Sequence, residues 1–509
     1  MKRRTDSLDF VRNFPLFSIV LSLFSGVLCT MLDGKKAERY TTVYELFLIA
    51  LNGAVLRYTL QTGESFTYVM GEFPAPWGNE IRAGVLEALL GLFFLLVLFC
   101  SVLAGRRFVR QDMDESKINL YYTLLNLLTA AMMALIWTND VFTGYVFLEI
   151  LTLTSCGILI VREIGRTTLA AVRYMILNLL GSGLFLLGVV LLYNLTGHLL
   201  MVPMRQEIAL LAGDRDSMVL LSLTLGILTI GLGIKSGLFP FHYWMPDTYG
   251  SATPTSAAVL SSLVSKCYIF LLFKICWRAV GIEVFEQLPL KNILLVLGLC
   301  GMILGSVSAL HADSLNRMVA FSSAAQIGYI YMGIGLGGAA GYSAALFHML
   351  VHSVTKSMLF LTTPRLAETA EDQSMKFRNL QGSGRKNPLA GFFFLAGAFS
   401  MIGIPVFAGF SSKLFFGMAA VSGGSTKKLI LVMAALAVSS VLNALYFLRT
   451  AIRIGTPDEE ETDEAVIPGN AFSRMNYTVP MLILTAMNLS LGLVSPAYMY
   501  LIRNGLEMF

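Results

Sequence analysis

The stretch GIKSGLFPFHYWMPDTYG, residues 233–250, follows a long apolar run yet holds Lys235, His242 and Asp247, two prolines and three glycines. A lysine centred in a bilayer costs about 2.5–3.5 kcal/mol on insertion scales, so its presence demands a reason. Proline removes a backbone donor and clashes with the preceding turn. A helix entering this stretch therefore unwinds part-way, and irregular backbone at membrane depth is tolerated only inside protein or against a water-filled cavity. The stretch reads as the broken middle of a membrane span that carries a working cation.

Outward from that point the chain is apolar almost throughout. Of its 509 residues 56% are hydrophobic and 14% charged, and the mean hydropathy is +0.70. Runs of roughly 20 apolar residues, the length that crosses the hydrocarbon core, recur from end to end. They give about fourteen spans, centred near residues 22, 50, 93, 128, 150, 182, 228, 262, 301, 328, 352, 402, 440 and 488. The fold class is an all-α polytopic membrane protein with one membrane domain, residues 1–509. The connections between spans are too short to hold a soluble domain. A second interrupted span is FSMIGIPVFAGFSSKLFFGM (399–418), where Gly403, Pro405 and Gly409 precede Lys413. Paired interrupted segments in two halves of a chain point to an ion or substrate site.

Several function classes fall away. The six cysteines lie in or beside apolar runs and form no CxxC pair, so they read as packing residues and no metal or cluster is expected. There is no GxxxxGK[ST] phosphate loop. A net charge of +5 gives no reason to invoke nucleic acid. The N-terminal basic and apolar segment imitates a signal peptide, but with spans following throughout it reads as a retained first helix. Loop lysines and arginines favour both termini outside, with Lys2, Arg3 and Arg4 arguing the other way. The charged loop 367–387 could join two halves of a bundle, and the acidic loop TPDEEETDEAVIPGN (456–470) reads as solvated surface.

The charges inside the spans are few: Glu149 in GYVFLEILTLTS, Arg173, Lys235, Lys266 in SSLVSKCYIF, His348, His352 and Lys356 in ALFHMLVHSVTKSMLFL, and Lys413. Glu87, Lys274 and Arg449 lie closer to span ends and read as snorkelling groups. Glu149 has apolar neighbours on both sides and needs a cationic partner, for which Arg173, Lys235 and Lys266 are the candidates in the first half. The four-residue spacing of His348, His352 and Lys356 places them on one helix face. Burial favours the neutral form of a lysine and a nearby carboxylate favours the charged form, so a Glu/Lys couple is a proton switch set by distance. Arginine does not deprotonate, and Arg173 reads as an anchor for Glu149 or a cavity lining.

These segments resemble a known family: the antiporter-like, proton-conducting membrane subunits shared by respiratory complex I, Mrp-type sodium/proton antiporters and energy-converting membrane hydrogenases. The resemblance covers roughly residues 75–450 and rests on KSGLFPFHYWMPDTYGSATPTSAAVLSSLVSK (235–266), SLNRMVAFSSAAQIGYIYMGIGLG (314–337), ALFHMLVHSVTKSMLFL (345–361), VFLEILTLTS (146–155) and GIPVFAGFSSKLFF (403–416). It implies fourteen helices with two inverted five-helix repeats, residues 116–280 and 290–455, whose seventh and twelfth spans are broken. N-terminal helices (1–115) precede the repeats and a C-terminal helix (476–505) follows. It further implies that Glu149 and Lys235 form the coupling pair, that Lys266 is the central relay with His348 and His352 nearby, and that Lys413 is the exit-side group.

Such subunits carry no redox centre or other cofactor. They work in the cytoplasmic (inner) membrane beside a homologous subunit and small membrane subunits, with H⁺ as cargo and Na⁺ as a second candidate. The segment GEFPAPWGNEIRAGVLEALLGLFF (71–94) is similar to the region before the third span of Mrp D subunits. The reading is thus an ion-translocating subunit of an Mrp-type cation/proton antiporter. Its alternative is a proton-pumping subunit of a complex I-type oxidoreductase or hydrogenase. An organic-solute transporter predicts fewer buried lysines, and a structural scaffold predicts that the buried charges are dispensable.

Overall fold

The structure, a computed structural model, describes residues 10–73, 78–370, 374–457 and 471–509. The N-terminal basic triplet and nearly all of the acidic loop 456–470 lie outside the described residues. Each expected span contains a helix. In chain order these are α1 (Phe14–Thr30), α2 (Gly34–Thr62), α3 (Val85–Asp112), α4 (Ile118–Trp137), α5 (Val141–Ile160) and α6 (Gly165–Thr196). The broken seventh span is α7 (Arg215–Ser236) and α8 (Trp244–Ser251), followed by α9 (Pro254–Ala279), α10 (Leu290–Leu310), α11 (Leu315–Leu336) and α12 (Gly338–Ala367). The broken twelfth is α13 (Pro388–Ile402) and α14 (Ala408–Ser422), and α15 (Thr426–Gly455), α16 (Ala471–Leu493) and α17 (Ser495–Glu507) complete the bundle.

Among the described residues eleven helices are long and apolar enough to cross a membrane, and α16 with α17, bent by 81°, makes a twelfth candidate; α1 and α13 are apolar but shorter. A two-stranded antiparallel hairpin, Phe66–Val69 with Glu80–Ala83, adds a small β element that the all-α reading lacked.

Two helices form the axis. The apolar cores of α9 and α12 are wholly buried, as expected of helices that are hydrophobic all round, and both carry the ionisable residues singled out above. The outer helices face lipid: Ile176 and Leu179 of α6 are 63% and 60% exposed. Neighbouring helices approach through small residues, the membrane substitute for a hydrophobic driving force. A Cβ on Gly298 of α10 would meet the Met332 nitrogen of α11 at 2.4 Å, and one on Gly231 of α7 would meet the Gly181 oxygen of α6 at 2.6 Å.

The breaks occur where the sequence placed them. Gly237 ends α7 at φ +80° and Gly403 ends α13 at φ +92°, conformations that glycine adopts without steric cost. Val406, at φ +82° in the second break, is strained, since a β-branched residue there is a true outlier. Pro254 does not break the seventh span; it occupies the first turn of α9, where its missing N–H would be unpaired anyway. Helix α9 itself widens into π-turns at Leu260–Val264 and Ile275–Ala279, each accommodating one extra residue.

Candidate functional site

Lys235 stands in the last turn of α7, immediately before the break, and is fully buried. Its ammonium lies 3.7 Å from Glu149 Oε1 of α5 and donates to Thr152 Oγ1 at 2.8 Å. Glu149 is 22% exposed at its side chain, so the pair joins a buried cation to a carboxylate nearer the protein surface. Thr152 is one turn beyond Glu149, and its hydroxyl is hydrogen-bonded to Tyr268 Oη at 3.1 Å. The Tyr268 ring also faces the Lys235 ammonium, 5.6 Å from its centroid. Tyr268 belongs to α9, two residues after Lys266, so a hydroxyl bridge leads from the first lysine to the helix of the second.

Lys266 is fully buried and donates to the Ser261 carbonyl, which the π-turn exposes five residues earlier. The same turn is tied to α12 by Ser353, which donates to the Ser262 carbonyl at 2.7 Å. The three residues on one face of α12 are all buried. The rings of His348 and His352 are parallel, 6.2 Å apart and inclined by 2°. Neither ring nitrogen of His352 has a hydrogen-bond partner among the described residues. Lys356 donates to the Val319 carbonyl at 2.9 Å and to Ser322 Oγ. Lys266 acts electrostatically on His348, His352 and Lys356, and Lys413 on His348.

At the far end His348 Nδ1 is hydrogen-bonded to Ser412 Oγ at 2.7 Å. The next residue, Lys413, turns back to the break and donates to the Ile402 and Met401 carbonyls at 2.6 and 3.2 Å. Those are unpaired carbonyls at the negative end of α13, where a cation is favoured. The six residues proposed from sequence thus form one file from Glu149 to Lys413. Thr152, Tyr268 and Ser412, which join its members, escaped the sequence because hydroxyls are common in helices and carry no pattern of their own.

Three expectations are corrected. Arg173 does not anchor Glu149: its side chain is 59% exposed and pairs with Asp247 at 3.1 Å. Asp247 also binds Arg317 of α11 at 3.2 Å, so one carboxylate just after the first break clasps helices from both halves. Glu87 and Lys274 do not snorkel. Both are fully buried; Glu87 pairs with Arg82 at 2.5 Å, and Lys274 donates to the Ile136 and Thr138 carbonyls at 2.5 and 2.7 Å. Outside the spans, Glu286 accepts from Gly338 N–H and Tyr342 Oη, both at 2.7 Å, and pairs with Lys291. Burial alone would raise its carboxyl, but these donors outweigh it and hold the group below the usual range.

Comparison with known proteins agrees with this architecture. Residues 138–442 match the family model described as NADH:quinone oxidoreductase/Mrp antiporter, TM. The chain is 31% identical over 488 residues to NADH-quinone oxidoreductase subunit N of Desulforudis audaxviator, covering 92% of this chain and 93% of that protein. It is 28% identical to the protein of the same name from Hydrogenovibrio crunogenus, covering 96% and 97%. A chain of the Mrp complex from Dietzia sp. DQ12-45-1b superposes with a TM-score of 0.85 at 21% identity, covering 98% and 97%. One of the membrane-bound sulfane sulfur reductase, an archaeal respiratory membrane complex, gives 0.84 at 25% identity, covering 99% and 97%.

Proposed function

The chain belongs to the NADH:quinone oxidoreductase/Mrp antiporter transmembrane family, and on that premise we propose that it is the proton-translocating membrane subunit of a redox-driven complex of the complex I type. The observation that carries the reading is the Lys235 ammonium, fully buried beside a helix break and 3.7 Å from Glu149. With Glu149 close, Lys235 keeps its proton; when the carboxylate withdraws, the proton passes by way of Thr152 and Tyr268 toward Lys266. It then moves along the His352 and His348 face to Lys413, in the two repeats 116–280 and 290–455.

Lysine suits each station because its charge can be removed by a change in surroundings, which arginine does not allow. The curated relatives, named as subunit N of NADH-quinone oxidoreductases, favour this branch over the Mrp-type antiporter that the sequence first suggested. The work is vectorial proton movement in the cytoplasmic membrane. Electron transfer belongs to partner subunits, among them a homologous membrane subunit and smaller ones.

The test is proton movement in everted vesicles that carry the chain with its neighbouring genes, alongside Lys235→Ala. Movement that needs an electron donor and vanishes in the variant supports the reading. Sodium-driven movement without a donor returns the chain to the Mrp-type branch.

A further inference from the structure

The segment TTVYELFLIALN (41–52) of α2 carries a carboxylate that the Glu149–Lys413 file does not use. Glu45 is 1% exposed, and both of its oxygens are buried without a hydrogen-bond partner among the described residues. Two turns away on the same helix, Glu38 is equally buried but fully compensated. Arg110 donates to both its oxygens at 2.8 Å, and Arg106 Nε lies 3.3 Å away. Arg106 is also the charged group that acts on Glu45, and its other arm donates to Thr42, between the two acids. The remaining titratable groups facing Glu45 are Cys100 of α3 and Tyr121 and Tyr122 of α4. Its neighbour Tyr44 is hydrogen-bonded to Ser22 of α1.

On one side of Glu45 is a polar surface cavity of about 440 Å³ lined by Glu38, Arg39, Arg106, Arg107 and Arg110. On the other, Ser101, which follows Cys100, is hydrogen-bonded to Ser357 Oγ at 2.7 Å, and Ser357 follows Lys356 on the central helix. A carboxylate buried without hydrogen bonds is too costly to stay charged and binds a proton instead. Arg106, shared with Glu38, sets when it lets go, since an arginine turned toward Glu45 favours the anion.

We propose that Glu45 is a proton-binding site on the N-terminal helices, filled from the Glu38/Arg106 cavity and emptied toward Lys356 across the Ser101–Ser357 contact. This deepens the proposed function and rests on it. The proton leaves the Glu45 carboxyl for a neutral Lys356 amine, producing an ammonium and a carboxylate that Arg106 then compensates.

The experiment is infrared spectroscopy of the resting complex in H₂O and D₂O, paired with donor-driven proton movement in vesicles. Wild type should show a protonated-carboxyl C=O band that shifts on deuteration. Glu45→Gln, isosteric and neutral, should lose that band and slow proton movement roughly tenfold, the factor that corresponds to about 1.4 kcal/mol on a barrier. Glu45→Asp should keep a displaced band and recover part of the rate. A band unchanged in Glu45→Gln overturns the site, and a lost band with wild-type proton movement overturns the relay. Because the band is read without turnover, it judges Glu45 separately from the proposed function, for which Lys235→Ala is the comparator in the same vesicles.

Discussion

Replacing Glu149 by glutamine removes one charge and leaves the shape in place. At the observed 3.7 Å, and with the effective dielectric of about 20 that suits partly buried pairs, the attraction between Glu149 and Lys235 is about 4.5 kcal/mol. Withdrawal of the carboxylate to about 8 Å leaves about 2 kcal/mol. The difference, about 2.4 kcal/mol, corresponds to a factor of about 60 in the equilibrium that places the proton on Lys235 or on the next acceptor. A glutamine supplies neither state. Donor-driven proton movement in everted vesicles should therefore fall by at least an order of magnitude, while the complex still assembles. Glu149→Asp sets the charge back by about one carbon–carbon bond, near 1.5 Å. It retains about 3 kcal/mol, so its movement should be intermediate. Wild-type rates from Glu149→Gln would refute the electrostatic switch, whatever the other variants did.

Further outcomes follow from the same geometry. Lys413→Ala, which strips the Met401 and Ile402 carbonyls of their donor, should stop proton movement without preventing assembly; vesicle assays and blue-native gels check both halves. Glu87→Gln leaves Arg82, Lys274 and Arg278 facing one another without their carboxylate. The penalty of about 3–5 kcal/mol for breaking a buried pair should appear as a lower melting temperature in detergent. Gly298→Ala forces a methyl against the Met332 nitrogen and should cost about 1–3 kcal/mol by overpacking. Gly183→Ala, which meets nothing within 4 Å, should leave melting unchanged. Because the Glu286 carboxyl is held below its usual value, its contribution is present above the ordinary glutamate range. It is lost as pH falls through the lowered folded value, so hydrogen exchange at the Gly338 amide should accelerate only on that acid side.

What could be read from sequence was set by cost. Lys235, Lys266 and Lys356 stand in apolar runs where a charge is expensive, and the breaks at Gly237 and Gly403 announce themselves through glycine and proline; all lie as expected. Glu87 and Lys274 were misread because proximity to a span end suggests an escape to water, whereas their partners come from the hairpin residue Arg82 and the C-terminal end of α4. Arg173 was misassigned because nothing local tells an arginine which distant acid it will meet, and Asp247 lies 74 residues away. Glu45 met the same criterion as Glu149, a carboxylate within an apolar run, and could have been found by it. Its lack of partners, which makes it informative, is visible only when the helices are assembled.

The two π-turns of α9 have a consequence for how relatives are compared. Each holds one residue more than a regular helix would over the same rise, and Lys266 stands between them. With 3.6 residues per turn, deleting a residue from Leu260–Val264 would swing everything beyond it by about 100° around the helix axis. The lysine would then face away from α12 with no amino acid substituted. Along this helix an insertion or deletion is a change of aim. A relative whose lysine is offset by one position in sequence can still place its ammonium at the same point in space, and one whose lysine aligns without a gap can place it on the opposite face.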